Sequence, residues 1–266
     1  MIVGVYCEKQ SKENPYISFE TCLNCARTCI NKCPLTTPIL KGIFSHIKEE
    51  KENITATTLS GCPRELALVR RKNIYIDPMR EIWAFRGVLS HQIVNFNQDT
   101  EGVITEKRFR GNIGGIEFSG QPDEYVIDKK FLRDYKTCER VPTYNSPFTN
   151  HITQLNLYKY LLAFNGYEVE KVEVVYISMK EVKRLACSIK GDKWLDDYIL
   201  PKLKVMKLLV DDPTFLPPKA EPRDENYWQC NGYCDTPQLC WNNFILEVQG
   251  GKLLKSFNKT EEGVVG

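Results

Sequence analysis

Residues 120–137, GQPDEYVIDKKFLRDYKT, carry two short strand patterns on either side of a polar turn, the signature of a β-hairpin. Side chains alternate along a strand, so in FLRDYK (131–136) Leu132, Asp134 and Lys136 share one face and Phe131, Arg133 and Tyr135 the other. A turn centred on Lys129 and Lys130 sets Asp123 opposite Lys136 and Tyr125 opposite Asp134, and directly paired residues face the same way. Two acids and a lysine then converge at the open end of the hairpin. A slip of one residue would exchange Asp123 for Glu124 on that face. Asp123 is the preferred first acid, because Pro122 marks a bend at the start of its strand.

The ordinary meaning of a short Asp-x-Lys is charge on a solvated strand. The chemical alternative is a hard oxygen site, two carboxylates and a main-chain carbonyl, suited to Mg²⁺ or Mn²⁺. A lysine beside it can position water and stabilise charge developing on a phosphate, which phosphodiester hydrolysis requires.

The surrounding sequence reads as one α/β domain with helices around a central sheet. Upstream, TATTLSGCPRELALVRRK (55–72) predicts a helix capped by Thr57 or Thr58, with Pro63 near its start or kinking it. DPMREIWAFRGVLSHQIVNF (77–96) predicts a second helix, with Gly87 and His91 one turn apart. VITEKRF, GIEFSG, EYVID and FLRDYK (within 103–136) read as an antiparallel meander. Downstream, NHITQLNLYKYLLAFNG (150–166) is a helix ended by Gly166 that sets Gln154 and Tyr158 on one face. VEVVYIS (172–178) and RLACSI (184–189) are further strands. DKWLDDYILPKLKVMKLLV (192–210) is mostly helix despite Pro201.

Four short patterns now stand in order: Gly-x-x-x-His ending at His91, Gly-x-x-Asp ending at Asp123, Asp134-x-Lys136, and Gln154-x-x-x-Tyr158. Together they resemble the RecB-like branch of the PD-(D/E)XK nuclease superfamily, over about residues 60–242. The resemblance implies a restriction-endonuclease-like core, a central mixed sheet flanked by helices. It implies that His91, Asp123 and Asp134 bind the divalent metal, with the Tyr135 main-chain carbonyl completing the protein ligands. Lys136 would be the catalytic lysine, and Gln154 and Tyr158 would hold the active site and the DNA strand in place.

Eleven cysteines, an odd number without a secretory leader pattern, argue against a disulfide framework and for clustered reduced thiols. Cys230, Cys234 and Cys240 stand close together after the proline-rich stretch 213–230, and Cys62 stands far upstream. One early and three late cysteines around the motifs resemble the iron–sulfur staple of RecB-like nucleases, including the CRISPR-associated RecB-like exonuclease. That implies a [4Fe–4S] cluster on Cys62, Cys230, Cys234 and Cys240, with zinc in the same thiols as the alternative. The first section departs from the pattern. Cys22, Cys25, Cys29 and Cys33 are spaced x2, x3, x3, one residue off a ferredoxin-type run. On one continuous helix they form a stripe of roughly 16 Å, too long for a single ion. Either the helix breaks or Cys7 joins a pair. A small zinc-binding element is the preferred reading, with a second iron–sulfur centre or a face of packed thiols left open. Cys138 and Cys187, outside these sets, read as ordinary packing.

The expected organisation is thus a Cys-rich element over 1–50, the nuclease domain over 51–244 closed by its staple, and a weakly ordered tail over 245–266. Its 266 residues suffice for a full core, and a net charge of +2 leaves a local basic channel possible. No apolar run reaches 18 residues, so no membrane helix is expected and a cytoplasmic location is. The function expected is a metal-dependent DNA nuclease, an exonuclease on single-stranded or free ends, working in CRISPR spacer acquisition or in viral or mobile-element DNA processing. CRISPR adaptation proteins or a separate helicase would be its partners, since no Gly-x-x-x-x-Gly-Lys-Ser/Thr motif is present. The alternative is a non-catalytic iron–sulfur DNA-binding or scaffold subunit of a recombination complex.

Overall fold

In the computed structural model, β8 (Phe131–Thr137) lies at the centre of a five-stranded sheet. Its antiparallel neighbour is β7 (Glu124–Val126), which pairs in turn with β4 (Val103–Thr105). On the other side β8 runs parallel to β9 (Lys171–Ile177), and β10 (Val182–Ala186) closes that edge as an antiparallel hairpin. The order is β10-β9-β8-β7-β4, and the sheet is therefore mixed. The structure describes residues 2–7, 15–28, 33–45, 54–71, 74–79, 81–82, 86–87, 101–218, 234, 240, 244–249 and 252–257.

A parallel pair needs a crossover, and the connection from β8 to β9 is the helix Thr149–Phe164. It is buried on more than one side, with Leu155, Leu157, Leu161 and Leu162 wholly enclosed, because it sits between the sheet and further elements. Gly166 follows it with φ +86, the left-handed turn that glycine adopts without strain. The hairpin β5 (Phe109–Ile113) and β6 (Ile116–Gly120) leaves the main sheet and packs on this helix. The antiparallel meander expected for 103–136 is corrected accordingly. VITEKRF is not one strand, because Glu106 turns with φ +50, and β4 pairs with β7 across the inserted hairpin.

The expected single helix near residue 60 is two: α3 (Ala56–Ser60) and α4 (Pro63–Arg71), after the two helices α1 and α2 of the N-terminal section. Thr55 caps α3 through a reciprocal pair with Thr58, so neither Thr57 nor Thr58 is the N-cap. Pro63 starts α4 at the first helical position, where its missing N–H costs nothing. The crossover helix is α5. After it, Asp192–Trp194 forms a turn, Leu195–Ile199 a π-turn, and Leu200–Asp211 the helix α6. Pro201 cannot donate to the normal ladder, and the wider turn just before it gives its ring room.

The N-terminal section has its own small core. Strands β1 (Ile2–Tyr6), β2 (Tyr16–Ile17) and β3 (Ile74–Ile76) make a sheet of order β2-β1-β3, and α1 (Phe19–Thr28) and α2 (Thr37–Ser45) pack beside it around Val5, Cys22, Leu35 and Leu40. The parallel pairing of β1 with β3 crosses the boundary drawn at residue 50, so the first section is stitched to the chain beyond it. Within the stretch read as a tail, β11 (Phe244–Gln249) and β12 (Lys252–Phe257) form an antiparallel hairpin.

Candidate functional site

The two acids of the hairpin are buried on one side of the sheet, facing α5. Asp134 is 1% exposed and Asp123 4%. Their relation differs from the expected register by two residues. The observed partners are Glu124 with Arg133, Tyr125 with Leu132 and Val126 with Phe131, so the turn centres on Asp128 and Lys129 rather than on Lys129 and Lys130. Lys130, with φ +47 and its N–H on the Ile127 carbonyl at 3.1 Å, closes it. A shift of two preserves the faces. It brings Asp123, one residue before β7, level with Asp134 instead of Lys136.

Asp123 completes the ladder with its side chain. Its Oδ2 accepts the Tyr135 N–H at 2.7 Å, the position a strand carbonyl would otherwise take. The neighbouring Glu124 points to the other face, where it accepts from Arg133 at 2.7 Å and from the Tyr135 hydroxyl. Asp123, not Glu124, therefore lies on the side of Asp134. The loop leading to it is pinned by Arg108 donating to Gln121 at 2.7 Å and Gln121 donating to Glu106 at 2.6 Å.

Lys136 Nζ lies 2.7 Å from Asp134 Oδ2. Burial works against its charge, but the carboxylates of Asp134 and Asp123 outweigh burial and raise its pKa, so it is an ammonium at neutral pH. Among the described residues Asp134 Oδ1 is buried without a hydrogen-bond partner, and Oδ2 meets only the Lys136 ammonium. Asp134 and Lys136 thus form an enclosed ion pair, with the buried carboxylate of Asp123 level beside it. The donor set is hard oxygen and suits Mg²⁺ or Mn²⁺ better than a soft metal. Among the described residues no three His, Cys, Asp or Glu side chains gather as a metal site. His91, the expected third side-chain ligand, lies outside the described residues. Gly87, four residues before it in the sequence, is described, and a Cβ there would meet Thr137 Oγ1 at 3.5 Å, so Gly87 lies beside the end of β8 beyond Lys136.

Gly120 has a packing reason to be glycine. A Cβ there would fall 2.7 Å from Leu161 and 2.8 Å from the Tyr158 ring, so α5 can approach only a bare backbone. That approach delivers Gln154 and Tyr158 to the site. Gln154 donates to the Tyr158 hydroxyl at 2.6 Å. Burial first, and then the charge of Asp134, push the Tyr158 pKa up to about 12. The phenol stays protonated, and its own proton has no acceptor among the described residues.

His151, three residues before Gln154 on the same helix face, was not among the expected site residues. Its Nδ1 lies 2.8 Å from the Tyr176 hydroxyl, which also accepts the Phe148 N–H at 3.1 Å. Tyr176 pairs directly with Lys136 across β9 and β8. Burial, the Lys136 charge next, depress the His151 pKa to about 4, against the pull of Asp134. Tyr176 is buried and protonated, its pKa pushed up to about 12. Among the described residues its proton finds an acceptor only on Nδ1, so the neutral imidazole carries its proton on Nε2. The signal in the sequence was the i, i+3 spacing to Gln154, invisible without knowing which face of α5 met the sheet.

Cys62 precedes α4 with its sulfur facing the Arg64 and Glu65 N–H groups; burial raises its pKa against those bonds, and Cys240 is near enough to raise it further. Cys234 is described and Cys230 is not. Cys22 and Cys25 lie on α1, which is continuous through Thr28. Cys22 is buried in the small core, and Cys7 and Cys33 pack against the same cluster. Cys29 lies outside the described residues. Cys187 is buried in the main core, and Cys138 packs against it.

No protein-family model matches the chain, and no curated protein matches it. Its fold is similar to that of a solved protein described as SSO0001, at 20% identity and a TM-score of 0.52, over 76% of this chain and 93% of that one. A looser similarity, with a TM-score of 0.38 and 14% identity, is to a phage-related exonuclease from Haemophilus somnus 129PT, over 60% of this chain and 93% of that one. Among the described residues no helix is long and apolar enough to cross a membrane.

Proposed function

We propose that this chain is a nuclease of the RecB-like kind, hydrolysing phosphodiester bonds in DNA with Mg²⁺ or Mn²⁺, as an exonuclease on single-stranded or free ends. The observation that carries the reading is the pair of buried carboxylates, Asp134 on β8 and Asp123 level with it just before β7, with the Lys136 ammonium beside them at 2.7 Å from Asp134 Oδ2. Asp123, Asp134, the Tyr135 carbonyl and His91 would hold the metal. A divalent ion so held supplies Lewis-acid stabilisation of the scissile phosphate.

The remaining work belongs to the chain. Lys136, kept protonated, holds the attacking water and offsets charge growing on the phosphate. Tyr158, fixed by Gln154, offers its proton to a phosphate oxygen. His151, neutral with its proton on Nε2, offers a second uncharged donor beside Lys136.

A [4Fe–4S] cluster on Cys62, Cys230, Cys234 and Cys240 belongs to the same proposal, as does zinc at Cys22, Cys25, Cys29 and Cys33. The charge of Cys240 is felt at Cys62, which supports the first. Closing so long a loop would fasten the C-terminal segment to the start of α4. A place in CRISPR spacer acquisition or in viral or mobile-element DNA processing fits such an activity.

The test is cleavage of end-labelled single-stranded DNA by anaerobically purified protein with Mg²⁺, with Mn²⁺ and with chelator. Metal-dependent degradation that disappears in Lys136→Ala is expected. Full cleavage by that variant would sink the assignment of Lys136, and no cleavage by the folded wild type would turn the chain into a binding or scaffold subunit.

A further inference from the structure

The face of α5 turned away from Gln154 and Tyr158 lines a cavity of about 200 Å³ against the segment 190–195. At 100° per residue, Asn156, Tyr160 and Ala163 lie opposite the catalytic side chains, one helix diameter away. The walls are aromatic: Tyr160 and Phe164 from the helix, Trp194 from the turn beyond. Two lysines, Lys159 and Lys190, stand at it with one acid, Asp192. None of these three charges has an ion-pair partner among the described residues.

The cavity is held open by hydrogen bonds of Asn156 at its floor. Asn156 is buried and fully used: its amide donates to the Ile152 carbonyl at 2.8 Å and the Ser188 carbonyl at 3.0 Å, and its oxygen accepts the Lys190 N–H at 2.7 Å. The two walls are thereby tied together at the floor. Trp194 stacks on Tyr198 with an interplanar angle of 23°, and Tyr160 on Phe118 at 22°. The rings are oriented before any ligand arrives, which lowers the ordering cost of binding. Phe164, more than half exposed, would gain from being covered.

Flat aromatic faces beside unpaired ammonium groups match one chemistry, a base carrying a phosphate. We infer that this cavity is an accessory site for one unpaired nucleotide of a single-stranded DNA, the base lying on Trp194 and Phe164 and the backbone held by Lys159 and Lys190. The inference rests on the nuclease reading for its ligand, and it assigns a second grip on the strand, around α5 from the catalytic face.

The test is fluorescence anisotropy with fluorescein-labelled dT20 and the full-length protein in chelator, from 50 to 300 mM salt. The double variant Lys159→Ala, Lys190→Ala should bind roughly tenfold more weakly. Its plot of log affinity against log salt should flatten by about 1.4, the counterions released at two phosphates of a single strand. Trp194→Phe should keep most of the affinity and Trp194→Ala lose it by roughly 5- to 150-fold, the range of one stacked base. Lost packing alone would not alter the salt slope. An unchanged slope and affinity in the lysine variant overturn the inference, as does a wild type that does not bind dT20. Metal-dependent cleavage separates the two readings: intact cleavage with an unchanged slope removes the accessory site alone, and a lysine-dependent slope without cleavage removes the nuclease reading alone.

Discussion

His151 should remain neutral far below the pH at which histidines usually charge, and folding should depend on it. The unfolded chain takes up this proton near the usual 6.5, whereas the folded chain refuses it until about pH 4. A group whose folded pKa is depressed leaves stability intact above the unfolded value, and that stability drains away as the solution is acidified through the gap. Between pH 7.5 and pH 5 the loss attributable to this one residue is about 2 kcal/mol. The physical causes are burial first and the Lys136 ammonium second, with Asp134 pulling the other way and the Tyr176 hydroxyl occupying Nδ1. Only three histidines are present, so nitrogen-detected NMR titration in chelator can track each, with His151→Asn identifying the resonance. The expected result is a neutral ring protonated on Nε2 down to about pH 4, and an acid-induced loss of stability smaller by about 2 kcal/mol in the variant. A His151 that titrates near 6.5, or that carries its proton on Nδ1, would refute both the burial argument and the tautomer.

The same geometry sets three further outcomes. Asp123→Asn should abolish metal-dependent cleavage while Glu124→Gln keeps most of it and instead loses about 1–3 kcal/mol of stability, since Glu124 serves Arg133 and Tyr135 on the opposite face; paired cleavage assays and urea melts check this. Mn²⁺ at a hundred times its dissociation constant should stabilise the wild type by about 2.7 kcal/mol and leave Asp134→Asn unmoved, as read by denaturation with and without the ion. Gly120→Ala should cost about 1–3 kcal/mol and displace Tyr158, because the added methyl falls on Tyr158 and Leu161. Denaturation of that variant together with its cleavage rate shows whether the glycine matters for packing, for positioning, or for both.

The sequence carried the parts of the site that depend on period and spacing. Alternation along β8 placed Asp134 and Lys136 on one face, and helical spacing placed Gln154 and Tyr158 together, because both arise from local backbone geometry alone. What escaped was non-local. The register of β7 against β8 depends on where the Ile127–Lys130 turn closes, and a two-residue error leaves every face unchanged and so leaves no trace in the hydrophobic pattern. In the sequence the β5–β6 hairpin looks like part of a meander because its strands alternate as the others do, and only its packing on α5 separates it. His151 and Gly120 became legible once α5 was set against the sheet. Asn156 was hidden for a different reason: a buried amide that ties two carbonyls and an N–H has no pattern in the sequence.

Tyr135 bears on how that ambiguous register is resolved. Its main-chain N–H goes to Asp123 and its hydroxyl to Glu124, so one residue reads both members of the Asp-Glu pair, one from each side of the sheet. A hairpin slipped by two would keep its apolar contacts and forfeit both bonds, each to a charged acceptor and each worth about 1.5–3 kcal/mol. Tyr135 thus acts as a key cut for one alignment, and proofreads during folding the same strand pairing that sets the two acids level.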